Sequence, residues 1–173
     1  MQRDTCEFTS FVRANTTALL RTAYLLTGSA AGAEELVQDT LARLYPKWDK
    51  VQSAEVPIAY VRRSVANAFV NQRRRPSRRE VAYEFLPEHD DPYDAPAQLA
   101  DRSELTQLLR ELPDRQRAAL VLRFFHDLPD DEIADALQCR VGTVRSLISR
   151  GLSTMRERSN QPDAARPAPR RDR

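Results

Sequence analysis

The chain has 173 residues, with 27 Lys and Arg against 25 Asp and Glu, for a formal charge of +2. That length makes one large domain or two small ones, and so small a net charge says little about a polyanionic partner. No apolar run is long enough for a bilayer and no signal-peptide core opens the chain, so a cytoplasmic protein with no membrane partner is expected. Cys6 and Cys139 lie far apart and His89 and His126 stand alone. Neither a metal site, a cofactor site nor a nucleophile–base pair can be assembled from them, so the chain is expected not to be an enzyme.

Charge distribution says more than its sum. Residues 62–79 hold seven arginines and no acid, whereas residues 80–104 hold eight acids against Arg102 alone. Such segregation points to basic working surfaces joined by an acidic tether.

A first helix is expected from Glu7 to Leu26, with Phe8, Phe11, Val12, Leu19, Leu20, Ala23 and Tyr24 on related faces. Gly28 suits a left-handed cap at its end, and Ser29 suits capping the next helix. That second helix, about Ala30 to Tyr45, should bury Leu36, Val37, Leu41, Leu44 and Tyr45 before Pro46 stops it. Glu35, Gln38, Asp39, Ala42 and Arg43 form its outer face. From the residues alone, that face is either ordinarily solvated or a partner surface.

Residues 46–57 make a loop or short broken helix that holds the only tryptophan, Trp48. A long helix follows from Pro57 to about Arg75, with Ile58, Tyr60, Val61, Val65, Ala68, Phe69 and Gln72 at helical spacing. It carries Arg62, Arg63, Asn67, Asn71 and the cluster Arg73, Arg74 and Arg75. Asparagine amides pair with base edges, aromatic rings stack on unpaired bases and arginines hold phosphates. Taken singly, Trp48, Tyr60 and Phe69 suit a core better than a stacking platform. Amides and an arginine cluster on one helix favour a nucleic-acid surface.

Residues 77–103 lack periodicity and contain Pro87, Pro92 and Pro96 among acids, the composition of a flexible acidic linker. Helicity resumes near Asp101 with Leu105, Leu108, Leu109 and Leu112. Pro113 opens a helix from Asp114 to Phe125, expected to bury Ala118, Leu120, Val121 and Phe124. Residues 159–173, rich in Pro, Ala and Arg, have the composition of a disordered tail.

Between them, a short helix from Asp130 to Leu137, a turn at Gln138-Cys139-Arg140, and a helix from Val141 to about Arg156 form a helix-turn-helix. At about 100° per residue, Val141, Val144, Ile148, Leu152 and Met155 share one face of the longer helix. Arg145, Ser146, Ser149, Arg150 and Ser153 share the opposite one. Guanidiniums that fork onto guanine or phosphate, beside small hydroxyls and almost no acid, suit the major groove better than a plain solvated face. Cys139, in the turn, suits a small buried apolar position.

The fold class is therefore all-α: two small helical domains, residues 7–76 and 104–158, joined by the linker. At this point a resemblance emerges. The run Ala33-Glu34-Glu35-Leu36-Val37-Gln38-Asp39-Thr40-Leu41-Ala42-Arg43-Leu44-Tyr45, the segment from Tyr60 to Asn67, Ile133-Ala134-Asp135-Ala136-Leu137 and Val141-Gly142-Thr143-Val144-Arg145-Ser146 resemble bacterial sigma-70-type sigma factors. A first domain passing straight to the last is similar to the extracytoplasmic-function (ECF) group, which keeps only regions 2 and 4. The opening helix resembles its SigE-like actinobacterial subgroup.

The resemblance implies a sigma factor that joins core RNA polymerase and directs initiation at promoters. It implies that Glu35, Gln38, Asp39 and Arg43 dock on the clamp coiled coil of the largest subunit, while region 4 meets the flap of the second subunit. It implies that the loop before Pro57, with Tyr60 and Asn67, captures a flipped minus-ten base, and that Arg62, Arg63, Asn71 and Arg73 to Arg75 line the same strand. Arg140, Thr143, Arg145, Ser146, Ser149 and Arg150 would read the minus-thirty-five duplex. An anti-sigma factor is a common further partner in that group. Two positions depart from the pattern: Arg140 stands where Ser or Pro often follows the turn cysteine, and Leu147 where a basic residue is common. The competing reading is a self-contained helix-turn-helix regulator whose first domain senses or dimerises.

Overall fold

A computed structural model describes residues 2–72 and 103–160, and every regular element among them is helical. The expected linker, Arg73 to Arg75 and most of the C-terminal tail lie outside the described residues. In the first half, α1 (Gln2–Thr27) and α2 (Ala30–Leu44) form a hairpin, followed by a 3-10 turn at Tyr45–Lys47, the short α3 (Trp48–Gln52) and α4 (Pro57–Gln72). In the second half come α5 (Ser103–Arg110), α6 (Asp114–Phe125), α7 (Asp130–Ala136) and α8 (Val141–Ser159).

Local chemistry sets the hairpin. Gly28 takes φ +74°, a conformation that costs glycine little, and its amide donates to the Tyr24 carbonyl at 2.7 Å. A Cβ added there would also lie 2.3 Å from Arg110 Cδ, so the cap doubles as a seat for the end of α5. The Ser29 hydroxyl accepts the Gly32 amide at 3.2 Å, the expected N-cap.

Trp48 is core: its ring lies 5.0 Å from Phe8 and 4.9 Å from Phe11, and only 4% of the residue is exposed. Tyr45, expected in α2, is half-buried in the 3-10 turn that Pro46 brings about, beside Phe8 and within 3.0 Å of the Thr5 hydroxyl. Along α4 the buried residues are Val61, Val65, Ala66 and Phe69, whereas Gln72 is exposed.

The centre of the second half is α6, where every residue from Arg117 to Leu122 is buried. No one-sided amphipathic pattern accounts for that. The helix is enclosed because α1 and α4 press on it from the first half and α8 from the second. The expectation for Phe124 is overturned: it is 61% exposed, and Phe125 is 40% exposed. With α6 covered from both halves of the chain, those rings fall on its remaining open edge near the C-terminus. The two halves share one continuous apolar cluster.

Candidate nucleic-acid interface

The turn between α7 and α8 closes by a Schellman arrangement. Gln138 takes φ 50°, the Cys139 amide donates to the Ala134 carbonyl at 2.9 Å, and the Gln138 amide donates to the Asp135 carbonyl at 3.3 Å. Cys139 packs half-buried against the core. Arg140 then occupies the N-cap of α8 with no side-chain cap bond. Its carbonyl accepts the Thr143 amide at 2.8 Å, leaving the arginine side chain exposed.

On α8, Val144 and Gly151 are buried, and Val141, Leu147, Ile148 and Met155 are partly buried against the core. Leu152 was expected on that face but is 38% exposed. The buried stripe steps from Val144 to Gly151 two turns on, which rotates Leu152 off it. Gly151 sits where a Cβ would lie 2.9 Å from Leu120 Cδ1, so its bareness lets α8 approach α6 closely. The helix continues to Ser159, past the expected end. Thr143, Arg145, Ser146, Ser149 and Arg150 are all exposed, as is Arg140. The structure therefore brings this whole expected set onto one open surface. The Ser146 hydroxyl donates to the Gly142 carbonyl at 3.0 Å.

The minus-ten candidates on α4 are placed differently. Tyr60, Arg62, Arg63, Asn67 and Asn71 are all half-buried. The Asn71 side-chain amide donates to the Asn67 side-chain oxygen, so these amides are ordered one against the other. Arg63 Nη1 donates to Glu132 Oε2 of α7 at 2.6 Å, across the boundary between the halves. Arg62 lies close enough to His126 to affect its titration.

His126 shows why this boundary matters. Its Nε2 is 3.0 Å from the Thr22 hydroxyl of α1, and burial, with the Arg62 charge second, pushes its pKa down to about 4 from 6.5. The unfolded chain therefore takes up this proton first as pH falls. The stabilisation held by the neutral ring is complete above about pH 6.5 and drains away toward pH 4. His126→Gln should flatten the fall of the urea midpoint between pH 6.5 and pH 4.5 while changing it little at pH 7. Parallel pH curves for the two proteins would contradict this.

Arg117 is a further boundary residue, one that helical periodicity does not single out. Its guanidinium donates to the carbonyls of Leu26, Arg110 and Leu112 and lies 5.4 Å from the centre of the Phe69 ring. Arg117 stands in the polar stretch just before the apolar run 118–122, so its sequence context gives little signal; a group of this kind is buried only when its donors are satisfied. Within the second half, Arg115 donates to the Leu137 carbonyl at 2.9 Å and ties α7 to α6.

The polymerase-docking candidates lie on α2. Glu35 and Arg43 are exposed and Gln38 and Asp39 half-buried, with Asp39 and Arg43 forming an ion pair at 3.2 Å. Thr40, between them, is buried and donates to the Leu36 carbonyl at 2.7 Å. No helix among the described residues is long and apolar enough to cross a membrane.

Comparison with known proteins agrees with this geometry. Residues 11–79 match the family described as Sigma-70 region 2, and residues 102–155 match Sigma-70, region 4. The RNA polymerase sigma-E factor of Streptomyces coelicolor is 37% identical over 151 residues, covering 87% of this chain and 85% of that protein. The ECF RNA polymerase sigma factor SigE of Mycolicibacterium smegmatis is 33% identical over 154 residues, covering 84% of this chain and 59% of that one. Among solved structures, the sigma factor RpoE of Bartonella quintana, in complex with the anti-sigma factor NepR, superimposes with a TM-score of 0.64. That match has 25% identity and covers 90% of this chain and 99% of the other. The two halves described above are thus sigma regions 2 and 4, and the chain belongs to the ECF group of sigma-70-type sigma factors, which direct promoter-specific transcription initiation by RNA polymerase.

Proposed function

We propose that the two regions divide the promoter between them: α8 reads closed duplex at the minus-thirty-five element, and α4 holds the unpaired minus-ten strand. The observation that carries this reading is the exposed row Arg140, Thr143, Arg145, Ser146, Ser149 and Arg150 at the front of α8. Small hydroxyls there let the backbone approach phosphates, and the arginines supply base-edge and phosphate donors. On α4, Tyr60, Asn67 and Asn71 supply the ring and amides for a flipped base, and Arg62, Arg63 and Arg73 to Arg75 the cations along the strand. Residues 7–76 and 104–158 are the working domains, with 77–103 as tether and 159–173 as tail.

Arg63 reaches DNA only after releasing Glu132. A partly exposed ion pair of this kind is worth about 0–1 kcal/mol, so phosphate contacts readily displace it. The packed arrangement is accordingly that of the chain before it engages a promoter. Glu35, Gln38, Asp39 and Arg43 dock on the clamp coiled coil of the polymerase's largest subunit. The exposed Phe124 and Phe125 rings offer the flap of the second subunit an apolar contact. An anti-sigma factor is a further partner, by likeness to the Bartonella quintana complex. The chain works in the cytoplasm, without a cofactor and without catalysis of its own.

The test is strand capture. Asn67→Ala should slow promoter opening by the holoenzyme while closed-complex binding stays near wild type. A template carrying a premelted minus-ten bubble should restore activity, because unstacking a base costs a few kcal/mol and the bubble removes that cost. Failure of the bubble to rescue would count against base capture by α4.

A further inference from the structure

Asp130, the first residue of α7, joins both helices of the helix-turn-helix to α6. Its Oδ1 accepts from Arg123 Nη2 of α6, and its Oδ2 accepts from Arg145 Nε of α8 at 2.9 Å. The carboxylate is itself held still: its side chain is 19% exposed, and Arg123 Nη1 also donates to the Leu128 carbonyl at 2.8 Å. Arg145, by contrast, is 73% exposed, yet it is tied at its innermost guanidinium nitrogen. An exposed arginine tethered through Nε still has Nη1 and Nη2, the pair that forks onto guanine O6 and N7, to offer to DNA.

The Arg123 contact already ties the start of α7 to α6. The second oxygen does something else, because it orders a long side chain on the neighbouring helix that would otherwise sample many rotamers. We propose that Asp130 is a positioning residue for sequence readout, holding Arg145 as a preformed fork for one guanine of the minus-thirty-five duplex. The inference rests on the assignment of α8 to duplex reading and adds to it a residue that touches no DNA. Asp130 also places negative charge close to the phosphate backbone. Its removal therefore acts in two opposite directions: base preference falls, while sequence-independent attraction to DNA is kept or strengthened.

Selection from a pool of duplexes randomised across the minus-thirty-five segment, bound by holoenzyme reconstituted with core polymerase, tests this. The sequences of the bound fraction report a ratio among complexes that formed, so partial loss of folded protein does not alter the profile. Wild type should enrich a guanine that Arg145→Ala no longer enriches. Asp130→Asn should weaken that same preference by about 3- to 10-fold, the effect of ordering one long side chain, and leave the other positions unchanged. Binding of Asp130→Asn to the unselected pool should equal or exceed wild type. Retention of the guanine preference in Asp130→Asn, or an equal loss at every position, would overturn the positioning role. If Arg145→Ala leaves the whole profile untouched, the assignment of α8 fails as well, which separates that failure from one confined to Asp130.

Discussion

Replacing Arg117 with methionine should lower the folding stability of this sigma factor by about 3 kcal/mol, a large share of what a domain of this size has. The arginine is 8% exposed and donates to the carbonyls of Leu26, Arg110 and Leu112, with Asp114 3.9 Å away. Each carbonyl left without a donor costs about 1–3 kcal/mol, less where water can enter, and breaking a buried charged arrangement adds to this. Methionine refills most of the volume, so the loss reports hydrogen bonding rather than a cavity. Lysine should rescue poorly, since a compact ammonium cannot span carbonyls spread across two elements as the planar fork does. Urea unfolding of the three proteins checks this. A loss under about 1 kcal/mol for the methionine variant would mean that water or neighbouring groups replace the donors.

Changing both Arg145 and Arg150 to alanine should reduce promoter recruitment on the order of 100-fold while leaving core polymerase affinity intact. Each specific base contact by arginine is worth about 1–3 kcal/mol, and two lost contacts give that scale. Core affinity is expected to survive because the docking face proposed above lies on α2, in the other region, and the proposed flap contact uses Phe124 and Phe125 rather than these arginines. Competition against a second sigma factor for core measures one quantity, and retardation of a promoter fragment by the holoenzyme measures the other. Equal loss in both would contradict the division between the regions.

Much of the fold could be read from residue pattern because it depends on local chemistry. Gly28 and Ser29 terminate and start helices by their own backbone and hydroxyl preferences, and the Asp130–Ala136 and Val141–Ser159 helices follow their apolar spacing. The exposed set on α8 was legible for the same reason, since one helix places all its members. What the pattern could not show depends on contacts between distant segments. Phe124 is exposed because α1, α4 and α8 take the other sides of α6, and no periodicity within residues 114–125 records that. Arg63 meets Glu132 and His126 meets Thr22 across 69 and 104 residues of sequence. Asp130 looks like an ordinary helix-start acid until the fold brings Arg123 and Arg145 to its two oxygens. Leu152 was misplaced because α8 approaches α6 at Gly151, which lies against Leu120, and a wheel drawn from apolar side chains alone gives a bare glycine no weight.

Paired footprinting of one holoenzyme–promoter complex tests the division of the promoter most directly, with hydroxyl radicals mapping protected duplex and permanganate mapping unpaired thymines. Two separated signals are expected, protection upstream and reactivity downstream. On intact duplex, at holoenzyme concentrations that fill the promoter, the upstream signal should weaken selectively in the Arg145/Arg150 double-alanine protein and the downstream one in Asn67→Ala. Loss of both signals together in either variant would contradict the separate roles of α8 and α4.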